Sequence, residues 1–495
     1  MIWPSGSARA WPRKMNSLAS MEWPEHFLAS LEGAQGWNKI DFLRAHEEAL
    51  PPVSVRFHPT KSVSRKVPRL EIRGPVPWSS YGFYLQSRPS FTLDPLLHAG
   101  AYYVQEASSM FLEQAVRQCL DLSGRIRALD LCAAPGGKST LLHSILSPES
   151  VLVSNEPVRN RQAVLYENLT KWGSPQVLLS RNDPSDFSSF SGFFDLIVVD
   201  APCSGSGLFR RDPRAKAEWS PEAVIHCQRR QQRILDSVWP ALRPQGVLIY
   251  CTCSFSVEEN EGILDWMMHS WGKKATSISL SVELQGQAAG GNWQIIETHS
   301  SGNQGSGYRF YPDKLEGEGF FLTCLKKDEP EHPSGIRMQK ASAAQLTSKE
   351  RERVNPWIGD STAWHWLKNG QDLFAIAPAA WADCQWLNGN LSIQKAGTRV
   401  GRLLPRELIP HHELALSGLL PAGLPVWELN EEEALAYLRK EDSNQPPNFR
   451  GWALVTHQGL GLGWAKGIGS RYNNYYPTDW RVRKDRPDSG HFKRR

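Results

Sequence analysis

Strands and helices alternate regularly between residues 126 and 254 of this 495-residue chain. One predicted strand, FFDLIVVDAP, carries a continuous apolar run, as expected of a strand that is covered on both faces. Because strands alternating with helices form parallel sheets, the sequence predicts an α/β domain. The predicted strands are 126–134, 151–157, 176–183, 193–202 and 246–254, and the predicted helices are 135–146, 159–173 and 221–242.

The rest of the chain divides around this α/β domain, since a chain of this length favours two or three domains. A charged, apolar-poor segment that begins with KKDEPEHPSG is typical of a linker. The predicted organisation is an N-terminal α+β extension (22–100), an α/β domain closed by a strand hairpin (101–325), a linker (326–354), a second globular region with short strands (355–480) and a basic tail (481–495).

Composition limits the classes of protein and of partner. The formal net charge of +5 permits a nucleic-acid partner without requiring one. The eight cysteines include no CxxC pair, so we expect reduced thiols in a cytoplasmic protein and no zinc site. No apolar run reaches the roughly 18 residues that a membrane-spanning helix needs. The start of the chain lacks the apolar core of a signal peptide, and Met15 and Met21 are alternative starts to Met1.

Acidic residues stand at the ends of four successive predicted strands. They are Asp130, Glu156, Asp183 and Asp200. Ligands of open parallel sheets bind beyond these strand ends. The loop CAAPGGK (132–138) follows the first strand, and its two glycines let a ligand approach the backbone at the start of a helix. A carboxylate that ends the second strand can accept both hydroxyls of a ribose. These residues therefore predict a binding site for a nucleotide-like ligand at this edge of the sheet.

The loop CAAPGGK also fits two other interpretations. PGGKST ends like the phosphate-binding loop of nucleotide triphosphatases, but the first glycine of that motif is replaced by Cys132, and Pro135 removes a backbone N–H. Alternatively, a glycine turn could simply join a strand to a helix. The four acidic strand ends favour a ligand site over both.

Three motifs in this order, LDLCAAPGGKST, DAPCSGSG and CTCSFSVEENEGI, resemble those of the Nop/Sun-type S-adenosylmethionine-dependent RNA cytosine-5 methyltransferases. LLHAGAYYVQEASSM and YRFYPDKLEGEGFF also resemble this family, so the likeness covers roughly residues 20–325. LGWAKGIGSRYNNYYPTDWRV resembles the PUA-like C-terminal domain of the bacterial RsmF branch, which methylates small-subunit ribosomal RNA.

The resemblance implies a Rossmann-like class I methyltransferase domain, flanked by an N-terminal α+β RNA-binding extension and a C-terminal PUA-like α+β domain. It implies S-adenosylmethionine as cofactor, RNA as partner and a monomer without metal. By resemblance, the methionine and ribose part of the cofactor would be held by Cys132, Ala133, Ala134, Pro135, Gly136, Gly137 and Lys138. Glu156 would bind the ribose hydroxyls and Asp183 the adenine edge, and Asp200 would lie beside the cofactor and the target cytosine.

The motif cysteines suit covalent catalysis at cytosine. Addition of a thiolate to C6 makes C5 nucleophilic, and the thiol must later be eliminated. By resemblance, Cys253 is the nucleophile and Cys203 assists release of the product. For Cys251 the favoured interpretation is a buried small side chain at a strand end. The alternative is a metal site formed by Cys251 and Cys253, which would need two further ligands, and His226 with Cys227 is the only nearby pair of these residue types.

Basic residues flank the predicted base pocket. The segments 210–216 and 228–233 favour phosphate contacts over a merely solvated face, and the tail mixes Arg and Lys with aromatic residues. By resemblance, the N-terminal segment that contains Arg56 and Lys61 also helps to hold RNA. The expected function is methylation of C5 of a cytidine in ribosomal RNA, with two alternatives: the same chemistry on transfer RNA, and a catalytically silent RNA-binding assembly factor.

Overall fold

A computed structural model describes residues 23–48, 50–61, 69–282, 293–302, 304–329, 346–441, 449–469 and 471–483. Three predictions concern residues outside these ranges. They are the alternative starts, the centre of the linker and the basic tail beyond residue 483. No helix in the described part of the chain is both long and apolar enough to cross a membrane.

The N-terminal extension is a small α+β unit, as predicted. Its antiparallel sheet has the strand order β2-β3-β1-β4. The side chains of Phe27 and Phe42 are buried against Phe209, Trp219 and Phe255, which lie in or near the segments that follow the two cysteine motifs. The extension therefore packs against the segments that carry the two predicted catalytic cysteines. Its elements are α1 (Phe27–Ser30), α2 (Lys39–Glu47), β1 (Ser54–Phe57), β2 (Ile72–Pro75), β3 (Gly82–Leu85), α3 (Pro95–His98) and β4 (Tyr102–Val104).

The α/β domain contains the predicted parallel strands, and their segments end close to the predicted positions. These elements are α4 (Leu112–Cys119), β5 (Arg127–Asp130), α5 (Gly137–Ile145), β6 (Val151–Asn155), α6 (Arg159–Trp172), β7 (Val177–Ser180), β8 (Phe194–Asp200), α7 (Pro213–Glu218), α8 (Pro221–Val238) and β9 (Leu242–Thr252). The five parallel strands lie in the order β7-β6-β5-β8-β9. From β5 the chain adds β6 and β7 on one side and then β8 and β9 on the other, so the switch point of the topology lies between β6 and β8, at the end of β5. In such Rossmann-like sheets the ligand lies at this switch point.

The predicted closing hairpin forms the far edge of the same sheet. Strand β13 pairs antiparallel with β9 and with its hairpin partner β12, and β11 follows as the outermost strand. The elements here are α9 (Glu261–Trp271), β10 (Ala275–Ser277), β11 (Ile296–His299), β12 (Ser306–Phe310) and β13 (Phe320–Lys327). The antiparallel addition extends the sheet without another crossover helix.

The C-terminal region differs from the prediction in two respects. Residues 348–354, which were predicted to be linker, belong to a helix whose capping box is formed by Thr347 and Glu350. In addition, one strand of this region, β16, pairs antiparallel with β7 and so completes the sheet of the α/β domain. The elements are α10 (Ser348–Ile358), β14 (His365–Asn369), β15 (Asp372–Ile376), α11 (Pro378–Asn390), β16 (Ile393–Ala396), β17 (Thr398–Leu403), β18 (Leu408–Pro410), α12 (His412–Leu416), β19 (Val426–Glu428), α13 (Glu431–Arg439), β20 (Arg450–His457), β21 (Leu460–Ile468) and β22 (Tyr472–Asn474).

Helix α11 packs against the core of the α/β domain through Cys384 and Leu387, which are fully or almost fully buried. On the same helix, the buried carboxylate of Asp383 pairs with Arg125 (2.5 Å) and Arg127 (3.1 Å). Residues 378–396 are therefore joined to the α/β domain by a strand pair, an apolar contact and an ion pair. The remaining strands form two four-stranded sheets, β14-β15-β17-β18 and β19-β20-β21-β22.

Candidate active site

The loop CAAPGGK connects β5 to α5 at the carboxyl edge of the sheet. Gly136 has φ +113°, a left-handed conformation that favours glycine, and helix α5 begins at the next residue. Its neighbours Cys132, Ala133 and Ala134 are buried. The amide of Ala133 donates to the carbonyl of Asn155 at 2.9 Å, which holds the loop against the end of β6. The loop thus lies at the switch point, with the N-terminus of α5 facing the same edge.

Glu156 and Asp183 lie near this loop. Both line one small pocket, of about 40 Å³, whose other lining residues are Cys132, Pro157, Arg161, Pro184, Pro202, Arg230, Arg233 and Ile234. Oε1 of the buried Glu156 accepts a hydrogen bond from the amide of Val158 at 2.9 Å. Its Oε2 lies 3.2 Å from Nη1 of Arg161 but accepts no hydrogen bond from the described residues. Asp183 is half exposed and lies 3.5 Å from Arg233.

Asp200 and Lys138 form an ion pair next to this pocket. The Nζ of Lys138 lies 2.8 Å from Oδ2 of Asp200 and 5.2 Å from the centre of the Phe320 ring. Burial alone would lower the pKa of Lys138, but the facing carboxylate raises it above its ordinary value. Lys138 is therefore a fixed positive charge, and Asp200 is oriented by it at the carboxyl end of β8.

The two motif cysteines are neighbours in space. The Sγ atoms of Cys203 and Cys253 are 3.1 Å apart, and both cysteines are free thiols that are partly exposed. A hydrogen bond to Cys253, together with burial, raises the pKa of Cys203 well above its ordinary value. The two thiols are therefore close enough to share a proton, which either sulfur can donate.

Close packing of the two loops brings the cysteines together. The amide of Gly207 donates to the carbonyl oxygen of Cys253 at 2.8 Å. A Cβ atom at Gly207 would lie 2.5 Å from that oxygen and 2.7 Å from the carbonyl oxygen of Gly319. Only glycine lets the PCSGSG loop approach these two backbone segments so closely.

Cys251 lies near the carboxyl end of β9. It is fully buried, and its Sγ lies 3.8 Å from Oδ1 of Asp200. Burial raises the pKa of this thiol well above its ordinary value, so it is an uncharged side chain in the wall behind Asp200. In the described part of the chain, no group of three or more His, Cys, Asp or Glu side chains is arranged to hold a metal ion.

The sequence reasoning missed the buried carboxylate of Glu259, which hydrogen-bonds to both cysteine loops. It accepts from the Ser204 amide at 2.8 Å and from the Ser254 hydroxyl at 2.6 Å. Its only signal in the sequence is its position inside CTCSFSVEENEGI. Glu258 and Glu261 stand beside it, and several acidic residues together are typical of the start of a helix.

Arg56 and Lys61 lie at the contact between the N-terminal extension and the α/β domain. Arg56 is fully buried and donates to Gln105 at 2.8 Å and to Thr140 at 2.6 Å. The Nζ of Lys61 donates to the carbonyl of Lys171 at 2.6 Å, and burial lowers its pKa to about 7. Both side chains join the N-terminal extension to the α/β domain. The buried Arg56 is not available for direct contact with RNA, and the contact of its segment with RNA stays a prediction.

The two basic segments beside the cysteine loop divide by exposure. Arg210 is buried and lies 3.7 Å from Glu318, which excludes it from direct phosphate contact. Arg214 is exposed and paired with Asp212, and Lys216 lies 4.1 Å over the ring of Trp23. On α8, Arg229 and Arg233 are exposed, and Arg233 also lines the small pocket that contains Glu156 and Asp183.

Three family models match consecutive parts of this chain. The model of the 16S rRNA methyltransferase RsmB/F matches residues 117–326, the N-terminal domain of the 16S rRNA methyltransferase RsmF matches 23–107, and the RsmF PUA domain matches 425–482. The PUA match begins well after residue 355, so it excludes the segment 378–396 that packs on the α/β domain.

Individual proteins agree with these models. The ribosomal RNA small subunit methyltransferase F of Klebsiella pneumoniae (strain 342) is 29% identical over 482 residues, covering 92% of this chain and 96% of its own. The protein of the same name from Aliivibrio fischeri (strain MJ11) is 29% identical over 82% of this chain and 85% of its own. Among solved structures, PH0851 has the same fold, with a TM-score of 0.53 and 21% identity over 62% of this chain and 66% of its own. This chain belongs to the RsmB/F family of S-adenosylmethionine-dependent RNA methyltransferases.

Proposed function

We propose that this protein transfers a methyl group from S-adenosylmethionine to C5 of a cytidine in small-subunit ribosomal RNA, through a covalent bond between a cysteine and C6. The observation that carries the proposal is the pair of free thiols, Cys203 and Cys253, with their sulfurs 3.1 Å apart. A methyltransferase that acts on a nitrogen or on a ribose hydroxyl has no need of a nucleophilic thiol, and no need of a second thiol beside it.

The residues at the sheet edge fit the proposed cofactor. Oε2 of Glu156 is a buried acceptor without a hydrogen bond among the described residues, and ribose hydroxyls are donors. Residues 132–138 would bind the methionine and ribose part, and Asp183, on the same pocket, would face the adenine. Bound there, S-adenosylmethionine supplies an electrophilic methyl group.

The thiols would carry the covalent chemistry. Cys253, as thiolate, adds to C6 of the cytosine, and the electron density gained at C5 makes this carbon the nucleophile. After the transfer, the proton on C5 must pass to a base and the bond between Cys253 and C6 must break, and the neighbouring Cys203 thiol can protonate the departing sulfur. Asp200, oriented by Lys138 at 2.8 Å, would lie beside both the cofactor and the target base. The target base must leave its stack to reach them, which costs a few kcal/mol.

The substrate assignment rests on the C-terminal region and on the names of the relatives. The RsmF PUA match supports an RNA partner, and the two relatives are named as small-subunit ribosomal RNA methyltransferases. Arg229, Arg233 and Arg214 are exposed basic residues suited to phosphate contacts. We infer that the protein acts as a monomer in the cytoplasm.

Bisulfite sequencing of ribosomal and transfer RNA from cells with and without this gene tests the activity and the substrate together. We expect one small-subunit ribosomal cytidine to lose its protection in the deleted strain. Loss of a transfer RNA site instead would keep the chemistry and refute the ribosomal substrate. No change at any cytidine would refute the methylation of C5 and favour a silent RNA-binding factor.

Trapping of a protein–RNA adduct tests the roles of the cysteines. We expect Cys203→Ala to accumulate an adduct that survives denaturing electrophoresis, because the product cannot be released, and Cys253→Ala to form none. Cys384→Ala, in the core of the α/β domain far from the cysteine loops, is the matched control and should behave as the wild type. An adduct in Cys253→Ala alone would reverse the two assignments.

A further inference from the structure

Glu259 is the one carboxylate that hydrogen-bonds to both cysteine loops within the described part of the chain. Its side chain is fully buried. Oε1 accepts from the amide of Ser204 at 2.8 Å and from Nε2 of Gln231 at 3.1 Å. Oε2 accepts from the hydroxyls of Ser204 at 2.5 Å and Ser254 at 2.6 Å. Ser204 follows Cys203 directly and Ser254 follows Cys253, so the carboxylate connects the residues next to the two thiols.

Further hydrogen bonds attach the same carboxylate to the scaffold. Nε2 of Gln231, on helix α8, also donates to the carbonyl of Pro202 at 3.0 Å, so the Cys203 loop is held on both sides of the cysteine. The hydroxyl of Tyr250, on β9, donates to the backbone carbonyl of Glu259 at 2.7 Å. Glu259 is therefore attached to a helix and a strand as well as to the two cysteine loops.

The four donors indicate the charge state of Glu259. An ionised carboxylate offers only acceptor sites, whereas a protonated one must donate. The Ser204 amide and Gln231 Nε2 can only donate, and the two serine hydroxyls can donate as well, so the network suits the ionised form. Burial raises the pKa of Glu259, and these hydrogen bonds oppose that effect. The titratable groups that face this charge are Cys203, Cys227 and Tyr250.

We propose that Glu259 is a positioning residue of the transfer reaction: it fixes the separation of the two sulfurs, and its negative charge keeps the proton on Cys203 while Cys253 serves as the nucleophile. A buried negative charge disfavours a second one nearby, and Glu259 accepts two hydrogen bonds from Ser204, next to Cys203, against one from Ser254, next to Cys253. The two sulfurs, 3.1 Å apart, are close enough for the proton of one thiol to pass to the other. This inference rests on the proposed function.

Alkylation of the two thiols tests the charge of Glu259 without any methyl transfer. In the full-length protein, the rates at which iodoacetamide modifies Cys203 and Cys253 are followed against pH by peptide mass spectrometry. In Glu259→Gln we expect Cys203 to react about tenfold faster at neutral pH, the change produced by a fall of one unit in the thiol pKa. Glu258→Gln, the half-buried neighbour, is the matched control and should leave both profiles unchanged.

A second variant separates charge from position. Glu259→Asp keeps the charge on a shorter side chain, so it should keep the wild-type alkylation profile of Cys203 while lowering kcat for RNA methylation about tenfold or more, with KM for RNA unchanged. Glu259→Gln should lower kcat as well. Because Glu259→Asp leaves the charge in place, it also keeps the test open if Glu259→Gln fails to fold.

Three results would overturn the inference. They are an unchanged Cys203 profile in a folded Glu259→Gln variant, a wild-type kcat in both variants, and an equal shift of the profile in Glu259→Asp. If the wild-type protein does not methylate C5 of cytosine, the proposed function fails, whereas the alkylation profiles still decide whether Glu259 controls the thiols.

Discussion

Gly207→Ala should separate the two cysteine loops and so slow the reaction while leaving the fold intact. The added Cβ would lie 2.5 Å from the carbonyl oxygen of Cys253 and 2.7 Å from that of Gly319, and both atoms belong to backbone rather than to a flexible side chain. An ordinary contact needs about 3.4 Å or more, so the loops must part by close to 1 Å. A misplacement of that size costs on the order of 10²-fold in rate.

The same overpacking should lower the free energy of unfolding by about 1–3 kcal/mol. The assay is the single-turnover rate of methyl transfer to RNA, measured with the urea unfolding midpoint of the same preparation. Gly124→Ala is the matched control, because a Cβ at that glycine meets no atom within 4 Å. A Gly207→Ala variant that reacts at the wild-type rate would refute the inference that the contact of Gly207 sets the spacing of the thiols.

The remaining predictions concern buried charges. Glu261→Gln should lower the free energy of unfolding by about 3–5 kcal/mol, since it leaves the buried Arg309 without its partner; an unfolding midpoint within error of the wild type would contradict this. Asp383→Asn should cost less, about 1–2 kcal/mol, because its arginine partners are about a third exposed and can return to water; denaturant titration of both variants side by side tests this order. Burial raises the pKa of Asp130 to about 7, so its contribution to stability is present below the unfolded value near 3.8 and is lost as the pH rises through 7. Asp130→Asn should therefore flatten the dependence of the unfolding free energy on pH between about 4 and 7, and an unchanged slope would count against the raised pKa.

The sequence predicted the parallel sheet and the position of the cofactor loop well, because both are local signals. The apolar run of β8 and the glycines at 136 and 137 carry their structural meaning within a few residues. The structure brings all the predicted site residues to one edge of the sheet, and their roles remain predictions. The α/β class with its flanking α+β units is confirmed.

Contacts between distant segments could not be predicted in this way. Arg56 and Lys61 look like surface cations in sequence, but their donors are satisfied by Thr140 and by the carbonyl of Lys171, which come from other elements. Glu259 likewise gains its importance only from donors on two loops and helix α8. The boundary of the linker was wrong because the capping box at Thr347 lies inside a charged segment whose apolar residues are few.

The addition of β16 to the catalytic sheet has a consequence for how the chain can fold. Until residues 393–396 have been synthesised and have paired with β7, β7 is the edge strand of the sheet. Its unpaired backbone groups can then pair with strands of other molecules. The apolar surface beneath α11 is uncovered for the same period. The pairing joins residues far apart in sequence, so it forms slowly by comparison with a hairpin. The α/β domain is therefore protected from aggregation by a segment that is translated after it, and a chain cut after β13 would retain its catalytic motifs but lose that protection.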